Sequence, residues 1–180
     1  MYGMVNRSLE DMIESAHGHA AWEQIKSDAN VDCDIFVSVD PYPDEITYRL
    51  VGSAAAFLNL PVPDFLEQFG IHWILKTGRE GYPDLMACGG RTFREFLLNL
   101  PNFHQRVSLL LPHLDPPEFR CSDIQDHSAH LHYYSRRAGL SPFVIGLLKG
   151  LGQMFDTPVS VSLAASRSDG ADHDEFLVTW

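Results

Sequence analysis

Cysteine is scarce in this chain and basic charge is in deficit. Only three Cys occur in 180 residues, at Cys33, Cys88 and Cys121. They are odd in number and far apart. No Cys-x-x-Cys exists, which removes zinc knuckles and thioredoxin-type redox sites. Such a scattered set suits a reducing cytosol, with each thiol expected as an ordinary buried side chain. Thirteen Lys and Arg stand against 24 Asp and Glu, a formal charge of -11. A surface of that sign repels phosphate backbones and anionic lipid, so neither nucleic acid nor membrane is expected as a partner. No apolar run reaches the length of a membrane span, and the start Met1-Tyr2-Gly3-Met4-Val5-Asn6-Arg7 has no signal-peptide h-region. The expected location is therefore cytoplasmic. Also missing are a Gly-x-Ser-x-Gly elbow, a P-loop and His-Glu-x-x-His, so no common enzyme motif is present.

What is there reads as globular: 45% of residues are hydrophobic and 11% aromatic. The length suits one domain spanning residues 1–180. The unusual count is nine His. Val5, Leu9, Met12, Ile13 and Ala16 fall on one helix face. A second helix is expected over Ala21 to Ala29 with Trp22 and Ile25 inward, then a loop from Asp32 to Pro43. Asp44 is placed to cap a helix through Leu58 that buries Ile46, Tyr48, Leu50 and Val51. Phe65, Leu66, Phe69 and Trp73 give another helical stripe, broken at Gly78 and Gly81 before a short helix near Asp84 to Cys88. Thr92-Phe93-Arg94-Glu95 reads as a capping box. Pro101 then predicts a kink, with Asn99 capping a fresh helix from Pro101 to Leu111.

Beyond Pro116-Pro117 the period changes. Phe119 to Asp123 and Ser128 to Arg136 read as strands. Gly139 and Pro142 open a helix with Phe143, Leu147, Leu148, Leu151, Met154 and Phe155 on its apolar side. Val159, Val161 and Leu163, then Phe176, Val178 and Trp180, alternate as two more strands. Helices followed by strand–strand–helix–strand–strand make an α+β chain with an antiparallel sheet at its C-terminal end.

Two constellations can carry chemistry. His104 shares its helix face with Leu100, Phe103, Val107 and Leu111. An imidazole so placed is either a core histidine bonded to a backbone carbonyl or an axial ligand, since a neutral imidazole in an apolar pocket is what haem iron takes. Tyr133, Ser135 and Arg137 share one face if their segment is a strand. Two hydroxyls and a guanidinium there are either a polar outer face or a site for carboxylates.

The chain resembles the H-NOX domains, the haem nitric oxide/oxygen-binding family that includes the sensor of soluble guanylate cyclase. The resemblance rests on Met1-Tyr2-Gly3-x-Val5-Asn6, Tyr42-Pro43-Asp44, Tyr48-x-Leu50-Val51-Gly52 and Phe69-Gly70-x-x-Trp73. It continues through Asn99-Leu100-x-Asn102-x-His104-x-Arg106-Val107 and Pro112-His113-Leu114-x-Pro116-Pro117. Leu131-His132-Tyr133-Tyr134-Ser135-x-Arg137-x-Gly139-Leu140, the run Val144 to Gly152 and Asp172-His173-Asp174 complete it, collinearly. It resembles the stand-alone bacterial members of that family.

The resemblance implies a helical N-terminal part and an α/β C-terminal part holding haem b, protoporphyrin IX iron, between them. His104 becomes the proximal iron ligand. Tyr133, Ser135 and Arg137 match the motif that binds the haem propionates, and Pro117 matches the proline that bends the porphyrin. Val5, Leu9, Trp73, Phe143 and Leu147 are the expected distal lining. In oxygen-binding members a tyrosine on the helix after the motif donates to bound O₂; Phe143 stands at that place here and has no donor. A donor in a dry pocket contributes on the order of 1.5–3 kcal/mol to a partly charged ligand. Nitric oxide, nearly neutral when bound, needs little such help. The resemblance thus implies a non-catalytic gas sensor for nitric oxide, also taking carbon monoxide. Release of His104 would signal to a histidine kinase, a diguanylate cyclase or a chemotaxis protein.

Two other readings compete: an O₂-binding or redox-sensing haem protein on the same fold, and a haem-free metal-dependent enzyme built on the surplus histidines. His127, His130, His132 and His173 invite the second, but the soft ligands usual in structural zinc sites are missing. His17, His19, His72 and His113 are expected at the surface or its boundary.

Overall fold

The fold is that of a computed structural model, which describes residues 1–110 and 116–180. It is α+β and forms two compact units, residues 1–69 and 70–180. The expected helix end at Leu111, the Pro112 break and the placement of His113 lie outside the described residues.

The first unit is helical. It comprises α1 (Gly3–His17), α2 (His19–Asp28), α3 (Asp44–Phe57) and most of α4 (Val62–His72). α1 buries Leu9 and Ile13 as its pattern predicts, but Ala16 is exposed and the buried face also takes in Asn6 and Ser8. The reason is local: Thr47 Oγ1 donates to Asn6 Oδ1 at 2.7 Å, so a buried polar pair ties α1 to α3. The loop before α3 lies along the start of α1, where the Gly3 N–H donates to the Asp40 carbonyl at 2.9 Å. A Cβ at Gly3 would sit 2.1 Å from the Val37 carbonyl oxygen, so only glycine permits this approach. Asp44 does not cap α3. Pro43 holds that position, and Asp44 with Glu45 occupies the first turn, where negative charge meets the positive end of the helix dipole. The face of α3 is also turned from the expected one, burying Thr47, Leu50, Val51, Ala54 and Ala55 and leaving Tyr48 exposed.

The second unit wraps helices on one face of a sheet. After α4 the chain does not break at Gly78; it continues as a π-helix (Trp73–Gly78) and a turn of α-helix, α5 (Arg79–Gly81). Then come α6 (Pro83–Ala87), α7 (Phe93–Leu110), β1 (Glu118–Ser122), β2 (Ser128–Tyr134), α8 (Ser141–Met154), β3 (Ser160–Ala165) and β4 (Asp174–Thr179). The sheet order is β1-β2-β4-β3, antiparallel throughout. Its inner face gives Phe119, Ala129, Leu131, Tyr133, Phe176 and Val178 to a core shared with Phe96, Leu97 and Leu100 of α7 and Leu148 and Leu151 of α8. Within this unit α8 approaches the backbone at Gly70 closely: a Cβ there would lie 2.4 Å from the Phe143 carbonyl oxygen. Of the three thiols, all free, Cys88 is exposed rather than buried.

α7 is one helix, not two. The capping box starts it, with Thr92 Oγ1 accepting from the Glu95 N–H at 3.2 Å, though Glu95 reaches back to the Arg91 N–H at 2.8 Å instead of that of Thr92. Pro101 lies inside the helix. Its missing N–H deprives the Leu97 carbonyl of its helical donor. Cys121 of β1 supplies a replacement, its Sγ donating to that carbonyl at 3.7 Å. Burial pushes the Cys121 thiol above its ordinary pKa, which keeps it protonated as a donor. Asn99 caps nothing; its amide donates to the carbonyls of Cys88 and Gly89 and secures the end of α6.

Candidate functional site

Continuation of α7 through Pro101 carries His104 inward against β1. The imidazole lies between Phe103 and Phe119, with ring centroids 5.7 and 4.9 Å away. Its Nδ1 is 3.0 Å from the Leu100 carbonyl oxygen. A carbonyl only accepts, so Nδ1 carries the proton and Nε2 keeps its lone pair. Burial lowers the pKa of His104, partly countered by the Leu100 carbonyl, so the ring is held neutral. The structure thus shows a histidine bonded to a backbone carbonyl, an arrangement that leaves Nε2 as the nitrogen with the lone pair.

Phe119 links His104 to the second constellation, its ring 5.3 Å from that of Tyr133. Here the geometry departs from expectation. β2 ends at Tyr134, so Ser135 and Arg137 lie beyond the strand and do not continue its face. Tyr133 points into the core, 4% exposed, rather than outward. Burial raises its pKa and keeps the phenol protonated, while the hydroxyl of Ser135 and the charge of Arg137 pull the other way. Ser135 Oγ accepts from the Arg137 N–H at 3.1 Å, which folds the turn that brings the three residues near one another.

The same turn is anchored by a residue that sequence reasoning missed as a participant. Asp174, opposite Tyr133 in the β2–β4 register, accepts from Ser141 Oγ at 2.8 Å, Ser166 Oγ at 3.2 Å and the Arg167 N–H at 2.8 Å. It thereby fixes the start of α8 and the loop whose Arg167 guanidinium donates to the Ser135 carbonyl. Asp174 belongs to the Asp172-His173-Asp174 ending of the resemblance, but nothing in that motif says which carboxylate is buried.

Pro117 lines a cleft of about 630 Å³ with His104, Pro101, Ser108 and Phe119. Tyr133, Ser135 and Arg137 do not line it. Of the expected distal residues, Trp73 and Phe143 meet edge to face at 6.4 Å, and Leu147 follows one turn later on α8. Val5 and Leu9 sit one turn apart on α1, in the other unit.

These residues fit a haem. A half-buried neutral imidazole with an Nε2 lone pair suits the iron. The protonated Tyr133 phenol, the Ser135 hydroxyl and the Arg137 guanidinium are donors for carboxylates.

Comparison with known proteins agrees. In sequence, the chain is similar to the soluble guanylate cyclases gcy-35 and gcy-31 of Caenorhabditis elegans. It is 27% identical to the first over 191 residues, covering 99% of this chain and 27% of that protein. For the second the identity is 26% over 164 residues, covering 91% and 23%. The chain thus spans about a quarter of the length of these curated relatives. In fold it is similar to the crystal structure of an H-NOX protein from S. oneidensis in the Fe(II)NO ligation state. That match has a TM-score of 0.89 at 23% identity and covers 99% and 98% of the two chains. The Fe(II) unliganded H-NOX protein from K. algicida matches with a TM-score of 0.85 at 21% identity, covering 99% and 96%. The family model described as Haem-NO-binding matches residues 2–163, and the chain is a member of that family of haem-based gas sensors.

Proposed function

We propose that this chain is a nitric oxide sensor in which His104 holds a haem b iron through Nε2. The carrying observation is the half-buried imidazole, walled by Phe103 and Phe119, with its proton committed to the Leu100 carbonyl. That bond orients the ring and strengthens Nε2 as a ligand, the usual service of an outer hydrogen bond to a metal-bound histidine. Tyr133, Ser135 and Arg137 hold the propionates as hydrogen-bond donors, with Asp174 keeping their turn in place. Pro117 presses on the porphyrin. Val5, Leu9, Trp73, Phe143 and Leu147 form the distal lining. Held by His104, a haem would supply a ferrous iron able to bind a diatomic gas.

Phe143 offers no hydrogen to a polarised ligand, which disfavours O₂ and leaves nitric oxide and carbon monoxide. The Phe119 ring and the Leu100 carbonyl hold the His104 ring from within the protein itself. Its release is the signal, passed to a separate protein such as a histidine kinase or a diguanylate cyclase. Support for a sensing module rather than a catalyst comes from the relatives, which are cyclases of which this chain matches about a quarter.

The test is the absorption spectrum of the ferrous protein without gas, with nitric oxide and in air. Nitric oxide is expected to abolish the signature of histidine ligation. A spectrum that retains it overturns the release of His104. A stable oxygenated form in air overturns the selectivity.

A further inference from the structure

We propose that the outer face of the sheet carries a second metal site, built by His132, His173 and Glu175 and suited to a divalent zinc-like ion. It stands on residues that the haem reading does not use. His132 lies on β2 directly opposite Glu175 on β4, and His173 immediately precedes β4. One ligand atom from each lies within 4.8 Å of the others. His132 Nδ1 is 2.8 Å from His173 Nε2 and 4.0 Å from Glu175 Oε2. Zinc bonds of about 2.0–2.1 Å at tetrahedral angles place neighbouring ligand atoms about 3.4 Å apart. A small opening of the two rings and a small advance of the carboxylate therefore reach that geometry.

The surroundings are those of ligand histidines. The second nitrogen of each ring is already held by oxygen: His132 Nε2 pairs with Ser122 Oγ at 2.8 Å, and His173 Nδ1 with Asp172 Oδ1 at 2.5 Å. A carboxylate or hydroxyl behind each imidazole fixes its orientation and its tautomer. Tyr134 stacks on His173 with centroids 4.2 Å apart and planes at 21°, and the Arg120 guanidinium covers the other end of the assembly, 5.0 Å from the Tyr134 ring. His130 Nδ1 pairs with Glu175 Oε1, leaving Oε2 turned toward His132.

The protons balance. Without an ion, Asp172 accepts from His173 Nδ1–H, so His173 Nε2 must accept from His132 Nδ1–H, and His132 Nε2 accepts from the Ser122 hydroxyl. An ion between the facing nitrogens displaces the His132 proton from Nδ1 to Nε2. Ser122 then turns from donor to acceptor, and the two rings release no net proton. Two imidazoles and a carboxylate with a fourth position for water form a mixed N/O site that needs no cysteine.

The test uses the haem-loaded protein, stripped of metal by a chelator and titrated with zinc chloride by calorimetry, with zinc counted after desalting. One equivalent is expected at micromolar zinc. Glu175→Gln and His173→Asn should each weaken uptake by at least about 100-fold. Asp172→Asn, at an exposed position, should weaken it by about 10-fold. The exposed His17→Asn/His19→Asn pair should leave it unchanged. No uptake at micromolar zinc overturns the site. So does uptake that survives Glu175→Gln and Asp172→Asn, or that disappears in the His17 and His19 variant.

Discussion

Histidines on the two faces of one sheet meet opposite surroundings. Against the inner face, His104 has aromatic rings on either side and a single polar partner, the Leu100 carbonyl. On the outer face, His130, His132 and His173 are netted to Ser122, Asp172 and Glu175. The difference shows why residue type alone does not announce a ligand. An apolar wall desolvates the ring and leaves one lone pair waiting for a single strong partner. The polar face commits both ring nitrogens of His132 and of His173, so a metal there would have to replace the proton shared between the two rings.

The largest effect that tests this contrast is removal of the His104 ring, the proposed haem ligand. His104→Gly should lose haem and regain it when imidazole is added, read from the Soret band. Undiminished haem retention would move the ligand elsewhere. Next, Phe143→Tyr gives the distal side a donor on the order of 1.5–3 kcal/mol, roughly a 10- to 100-fold gain in O₂ affinity. Oxygen titration of the ferrous variant checks it, and no gain would remove Phe143 from the distal pocket.

Acidification probes the depressed pKa of His104. An unfolded histidine takes its proton near pH 6.5, as about the ordinary value, while the buried ring resists until lower pH. The unfolded chain then binds more protons, so the contribution of His104 to stability is full above about 6.5 and is lost as pH falls through the folded value. Histidine ligation of the ferrous iron should accordingly persist below about pH 6.5 in a spectroscopic titration. Its loss at or above that point would contradict a shielded ring.

Two smaller changes complete the contrast. Cys121→Val removes the donor that replaces the missing N–H of Pro101, at about 1 kcal/mol, or roughly 2–4 °C in Tm for a chain of this size. On the outer face, His130→Ala breaks a partly exposed pair with Glu175 worth about 0–1 kcal/mol. It should leave the haem spectrum untouched. A shifted Soret band in that variant would mean that the two faces are coupled.

Much of this architecture was readable from local pattern. The α1 stripe, the Thr92 start of α7, the alternation of β2 and β4 and the helix after Pro142 follow from periodicity and capping, which act within a turn or a strand. Pro101 misled because its compensation lies on another element, in the Cys121 thiol, 24 residues beyond the Leu97 carbonyl that it serves. Tyr48 misled because helical period fixes a stripe's width but not which edge meets its neighbour. Tyr133, Ser135 and Arg137 were legible as a motif. Their supposed common strand face was not, because a turn closed by Ser135 Oγ ends the ladder at Tyr134.

The order and type of the chemical groups belong to the sequence itself. It has one histidine on an apolar helix face, a Tyr-x-Ser-x-Arg run, a phenylalanine where a donor is wanted, and a net charge of -11. The family resemblance rests on the collinear motifs along the chain, while short-range pattern encodes its helices, strands and their inward faces. Folding alone settled which nitrogen of His104 is free, which carboxylate of Asp172-His173-Asp174 is buried, and that His132 and His173, 41 residues apart, come within 2.8 Å. Each depends on a partner distant in the chain, and only strand register and helix packing bring such partners within hydrogen-bond reach.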